Sequence, residues 1–262
     1  MERSDWDWLR REVNEAAAGF AAQLATVEDT GWRVPNLEWS VAELAAHLLS
    51  MPPLYRRLRE SAEPFVPPPD WTEFSRAARA HITATDGDDL GRSLRAGAEA
   101  FVDHLGPDPD APWTLYGRPT TAANMAAGYL GELLLHGRDL ALLTGAGVSI
   151  DARQANAILR QHLTLAPVFV DPEKARRCSG TYRVSFRGGE DYTFTVADGA
   201  LRVEPGRPAR ADGTFLADPV TFLLVALGRS GPVRAGLTGR ILAYGRNPMK
   251  LWRLGRIQVD GV

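Results

Sequence analysis

The chain reads as two domains of different class: an α-helical bundle over residues 1–170, followed by a small α+β domain over residues 171–262. Three observations predict this. Apolar side chains in the first 170 residues recur at three- and four-residue spacing, the period of a buried helix face. After residue 178 the period drops to two, between turns that carry glycine. A length of 262 residues is also long for one core and comfortable for two.

In the first half, Trp6, Leu9, Val13, Phe20 and Leu24 lie on one stripe of a helix with charged residues between them. "WSVAELAAHLLSM" begins the next helix. Ser40 and Glu43 have capping-box spacing, and Pro52-Pro53 predicts a stop or kink about three turns later. "DWTEFSRAARAHITAT" and "DDLGRSLRAGAEAFVDHLG" are further helices, separated by Asp86-Gly87. "PDPDAPWTLYGRPTT" reads as a loop. It leads into "AANMAAGYLGELLLHGRDLALLTG", which closes on Gly145 as a C-terminal cap. "DARQANAILRQHLTLAPVFV" is one more helix, starting near Asp151. Four long helices joined by modest loops pack most naturally as an antiparallel bundle.

The second half opens with "GTYRVSFRGGEDYTFTVADGALRVEPG", a β-meander turning at Gly188-Gly189 and Asp198-Gly199. "GTFLADPVTFLLVALGRS" is a strand leading into a helix with Asp218 near its start, and "GLTGRILAYGRNPMKLWRLGRI" is a second strand–helix pair. Helices against one face of a sheet make this an α+β domain. The linker between the halves falls near residues 168–179.

Composition narrows the function. The chain is 45% hydrophobic and 24% charged, close to an average soluble domain. Its 30 basic and 32 acidic residues leave a formal charge of −2, so no basic field points to nucleic acid or an anionic membrane. No apolar run reaches a membrane span, and "MERSDWDWLRREVNEA" lacks a signal-peptide core, which predicts a cytoplasmic protein. Only Lys174 and Lys250 are lysine, and the other basic residues are arginine, as in a GC-rich coding genome. The lone Cys178 excludes an internal disulfide and a cysteine-pair zinc site. A lone cysteine is usually inert, and Cys178 is a poor candidate for a catalytic thiol, although Arg176 and Arg177 beside it could lower its pKa. The chain has no G-x-S-x-G, Walker A or Rossmann glycine pattern, which disfavours serine hydrolysis and nucleotide chemistry.

The stretch "GELLLHGRDLA" (131–141) carries the chemistry. Glu132 and His136 are four residues apart in an apolar segment, so a helix projects both from one face. His47, in "ELAAHLL", sits on another apolar helix face. If the two helices bring His47 against the pair, the result is two imidazoles and a carboxylate. Three protein ligands with an open position make a catalytic zinc site, where a bound water or thiol loses its proton near neutral pH. Asp139, one turn past His136, is placed to accept the free N–H of a ligand imidazole. The same donors also suit nickel, iron or manganese. The alternative is plain: Glu132 and His136 form only a helical ion pair, worth a few tenths of a kcal/mol. His81, His104 and His162 have polar neighbours and read as solvated.

"WRVPNLEWSVAELAAHL", followed about 85 residues later by "GELLLHGRDLALLTG", resembles the DinB-like, mycothiol-dependent maleylpyruvate isomerase family of actinobacteria. "SGTYRVSFRGG", "YTFTVADGALRVEPG", "GTFLADPVTFLLVALGR" and "LTGRILAYGRNP" resemble that family's C-terminal domain, related to sterol-carrier-protein-2 (SCP2-like) folds. The resemblance spans nearly the whole chain. It implies a DinB-like four-helix bundle with a divalent metal, commonly zinc, held by His47, Glu132 and His136. It also implies that a C-terminal arginine binds an acidic substrate or thiol; Arg240 in "LTGR" and Arg246 in "AYGR" both match.

The resemblance further implies mycothiol as a low-molecular-weight thiol cosubstrate, ionised at the metal for attack on a small electrophile. Addition to an activated cis double bond gives an isomerase; displacement of a leaving group gives an S-transferase. Two other classes remain open from the residues: a zinc hydrolase acting on an amide or ester without thiol, and a non-catalytic small-molecule-binding protein. The loops at 67–71 and 107–120 offer Trp71, Trp113 and Tyr116 either as an aromatic wall for substrate or as ordinary anchors on the bundle.

Overall fold

The computed structural model describes residues 1–60, 65, 66, 68, 71–246, 250, 253–255, 257 and 258, and of Trp71 only the backbone. The chain divides into two compact units, Met1–Ile150 and Asp151–Val262.

The first unit is built on four long helices: α1 (Arg3–Leu24), α2 (Val41–Glu60), α4 (Gly87–Leu105) and α5 (Ala122–Thr144), with the short α3 (Trp71–Arg79) against α2. The periodic residues of α1 are its buried ones, with Trp6, Leu9, Val13, Phe20 and Leu24 all at 2% exposure or less. The ends are capped as their sequences require. Ser40 and Glu43 bond each other's backbone N–H reciprocally, Asp86 accepts from the Asp89 N–H, and Gly145 ends α5 at φ 73°. α5 is buried almost all the way round, from Ala122 to Leu140, because α1, α2 and α4 all pack on it.

Two expectations change here. Of the stop or kink expected at Pro52-Pro53, the stop does not occur: α2 continues to Glu60. Proline at position 52 deprives the Leu48 carbonyl of its helical N–H, and the buried Tyr129 hydroxyl of α5 donates to that carbonyl at 3.3 Å. The 107–121 segment is not a plain loop. It contains a hairpin, β1 (Pro112–Leu115) with β2 (Arg118–Thr121), registered Trp113 to Thr120 and Leu115 to Arg118. Its two-residue turn places Tyr116 at φ 49° and Gly117 at φ 71°, the left-handed pair that a tight hairpin demands. Tyr-Gly is not the usual Asn-Gly signal, so the alternation was masked; Trp113 and Leu115 point inward.

The second unit begins earlier than the boundary at 170/171. α6 (Ala152–Leu165), started by an Asp151–Gln154 capping box, turns Ala155, Ile158, Leu159 and Leu163 inward and packs on α8 (Pro219–Ala226) of the same unit. Periodicity identified this helix but could not say which core its apolar stripe joins. A 3₁₀ turn (Ala166–Phe169) and α7 (Pro172–Arg176) lead to the sheet. β3 (Gly180–Phe186), β4 (Asp191–Ala197), β5 (Ala200–Pro205), β6 (Gly213–Ala217) and β7 (Ile241–Gly245) lie in the order β5-β4-β3-β6-β7; β3 and β6 are parallel and the other pairs antiparallel. Tyr182 faces Phe194 and Val184 faces Tyr192 across β3 and β4, and all four are buried. α8 lays Phe222 against Phe186, with ring centroids 5.1 Å apart, and α9 (Pro232–Leu237) packs beside β7. Part of the helix expected after β7 (residues 247–249, 251 and 252) lies outside the described residues. Among the described residues no helix is long and apolar enough to cross a membrane.

Cys178, between α7 and β3, is buried with its thiol 3.3 Å from the Ala175 carbonyl. Burial pushes the thiol pKa up, and the charges of Lys250 and Arg253 offset this only in part. The lowering expected from Arg176 and Arg177 does not occur.

Candidate metal centre

α5 passes through the middle of the first unit, so any polar side chain on its inner faces must find partners there. Glu132 and His136 are one turn apart on this helix, and α2 supplies His47. His47 Nε2 lies 3.2 Å from Glu132 Oε2, and His136 Nε2 lies 3.4 Å from the same oxygen. One ligand atom from each of the three residues falls within 4.8 Å of the others. On the far side of the ring, His136 Nδ1 meets Asp139 Oδ2 at 3.0 Å, and both side chains are under 10% exposed.

This arrangement constrains the protons. With Nδ1–H directed at Asp139, a neutral His136 presents the lone pair of Nε2 to Glu132. A carboxylate oxygen and an imidazole lone pair then face each other, with His47 Nε2 alongside. Such a convergence is repulsive unless a proton or a cation sits between them. A tetrahedral ion with bonds near 2.0–2.1 Å sets its ligand atoms roughly 3.3–3.5 Å apart. The two contacts to Glu132 Oε2, at 3.2 and 3.4 Å, fall within about 0.1 Å of that spacing, so the donor set fits a divalent ion.

The electrostatics favour ligands that are ready to bind. Burial alone would raise the Glu132 pKa, but hydrogen bonds and charge from His136 and His47 outweigh it and hold the carboxyl well below the usual range. Burial lowers the His47 pKa, and the neighbouring Glu132 counters this only in part. A carboxylate beside a neutral imidazole is the protonation state a metal requires. Burial also holds the hydroxyls of Tyr55, Tyr116 and Tyr129 protonated, and the nearby Glu132 charge adds to the effect.

Sequence reasoning overlooked two residues beside this cluster. The Trp39 ring lies 4.9 Å from the His47 ring and 5.9 Å from the His136 ring, centroid to centroid. The Arg79 guanidinium of α3 lies over the Trp39 ring, 4.7 Å from its centroid. Trp39 immediately precedes the Ser40 cap, so its place in the "WS" pair was the available signal; nothing in the sequence singled out Arg79. The proposed aromatic wall separates into different roles. Trp113 is 3% exposed, carries Arg59 at 4.3 Å and packs edge-on to Phe101 and His104, which makes it an anchor. Tyr116 joins Phe65 and Phe74 in an aromatic group within the electrostatic reach of Glu132. The Trp71 side chain lies outside the described residues. Arg240 and Arg246 belong to the second unit, and both are exposed. Arg240 lies 3.8 Å from Asp218, and Arg246 follows β7 with its backbone N–H on the Asp212 carbonyl.

Comparison with known proteins agrees with both units. Residues 9–141 match the mycothiol maleylpyruvate isomerase N-terminal domain, and residues 159–258 match the SCP-2 sterol transfer family. Among solved structures, the mycothiol-dependent maleylpyruvate isomerase is 16% identical with a TM-score of 0.51; the match covers 93% of this chain and 95% of that one. A histidine-to-alanine mutant of that enzyme gives 15% identity, the same coverage and a TM-score of 0.50. At such identities the likeness is one of fold. No curated protein matches the chain. With half its length in the N-terminal family match and the partner domain following in order, the chain belongs to the mycothiol maleylpyruvate isomerase family.

Proposed function

We propose that the protein is a metal-dependent enzyme that directs a low-molecular-weight thiol, mycothiol, at a small electrophile, as an isomerase or an S-transferase. The observation that carries this reading is the convergence of His47 Nε2, Glu132 Oε2 and His136 Nε2. His47, Glu132 and His136 are the proposed ligands of a zinc or similar divalent ion. Bound there, the ion supplies Lewis acidity that ionises a thiol at neutral pH. Asp139 fixes the His136 ring and its tautomer. The Trp39 ring lies beside both imidazoles and adds apolar surface next to them. Glu132 retains 27% side-chain exposure, so solvent reaches this edge of the cluster. The proposed contact of Arg240 or Arg246 with an acidic substrate or thiol rests on the family pattern. The buried Cys178 is unsuited to serve as the thiol.

The test is metal content, followed by thiol dependence. Untagged protein should carry about one zinc or equivalent ion per chain, lost in His47→Ala and Glu132→Ala. With the metal present, consumption of electrophiles should require mycothiol. Turnover of an amide or ester without thiol would replace this reading with a hydrolase. A wild type that stays metal-free after zinc is supplied would sink the catalytic reading altogether.

A further inference from the structure

Arg79 is only 9% exposed, yet no carboxylate among the described residues lies within ion-pair distance of it. Among the described residues its guanidinium donates one hydrogen bond, to the Ser75 hydroxyl at 3.2 Å, and rests on the Trp39 ring. The acidic group that acts on it through space, Glu43, is engaged in the capping box with its oxygen on the Ser40 N–H. Holding a cation in so confined a place without a counter-ion is costly. Stacking on an indole offsets part of that cost and fixes the plane of the guanidinium, leaving its remaining N–H groups available. The same indole lies against His47 and His136, so Trp39 touches both the imidazoles and the cation.

We infer that Arg79, seated on Trp39, is the anion-binding residue of this site and selects electrophiles that carry a carboxylate. A planar guanidinium accepts a carboxylate through paired N–H···O bonds, which a lysine ammonium cannot reproduce. The selection is built into the first unit and is separate from any contribution of Arg240 or Arg246. The inference rests on the thiol-binding reading above.

The experiment uses the full chain loaded with cobalt(II), whose thiolate charge-transfer absorption reports thiol coordination directly. Two probes of similar size are titrated, 3-mercaptopropionate and 3-mercaptopropanol, and the ratio of their dissociation constants is the readout. The wild type should prefer the carboxylate probe by about tenfold, the value of one charge-assisted pair. Arg79→Gln should bring the ratio to about one, and Arg79→Lys should leave it in between. Because each ratio is internal to one protein, a general loss of stability does not mimic the effect. An unchanged ratio in Arg79→Gln, or no preference in the wild type, would overturn the inference and leave thiol binding standing. Absence of the charge-transfer band with both probes in the wild type would overturn both together.

Discussion

The Tyr129 hydroxyl donates to the carbonyl of Leu48, the acceptor that Pro52 leaves without its helical N–H. This one bond ties α5 to α2 between His47 and the start of the proline pair, close to where the two helices bring their ionisable side chains together. Tyr129→Phe removes the donor and leaves a buried carbonyl unsatisfied, at a cost of about 1–3 kcal/mol. In a Pro52→Ala background the helix supplies its own N–H, and the same substitution should cost less than half as much. Urea titrations of the four proteins in the double-mutant cycle measure the difference.

Asp139 holds His136 by the nitrogen facing away from Glu132. Asp139→Ala frees the ring to rotate and to exchange tautomers without touching any of the three proposed ligands. Metal affinity should fall by about 10–100-fold, the usual consequence of losing such a partner. Competition with a chromophoric chelator reads the change, and retained far-UV circular dichroism shows that the helices persist.

Asp191 joins Arg183 of the neighbouring strand and Arg207 beyond β5. Burial would raise its pKa, but hydrogen bonds from Arg207, Arg183 and Ser185 outweigh this and bring it down to about 2. A carboxyl with a folded pKa below its unfolded value of about 3.9 stabilises the native state fully above that value. The contribution fades as pH falls towards 2. Asp191→Asn should therefore cost about 1–2 kcal/mol at pH ~7, after allowance for solvent screening. The gap to wild type should narrow progressively when denaturant midpoints are compared at pH ~4 and ~3.

The Cys178 thiol is sealed and its ionisation is suppressed by burial. A thiol-specific disulfide reagent should label the native protein at least ~100-fold more slowly than the urea-unfolded chain, because the reaction needs an exposed thiolate. Cys178→Ala should retain any mycothiol-dependent turnover. A native thiol that reacts at the unfolded rate would contradict the burial described here.

The local signals in the chain were legible because they act over a few residues. Helix stripes, the Ser40–Glu43, Asp86 and Asp151 caps, the Gly145 stop and the period-two strands all arise from contacts within one or two turns. The Glu132–His136 pair was visible for the same reason, since four residues of helix place them together whatever surrounds the helix. His47 was a candidate from its own apolar helix face, and the resemblance matched it to the same set. Only the tertiary structure decided that His47, 85 residues away, meets the same carboxylate oxygen. It alone placed α6 with the second unit, carried α2 through two prolines and set Arg79 on Trp39. The physical reason is common to all four. Each depends on which apolar face is buried against which, and a single segment's pattern specifies that it must be covered without naming the element that covers it.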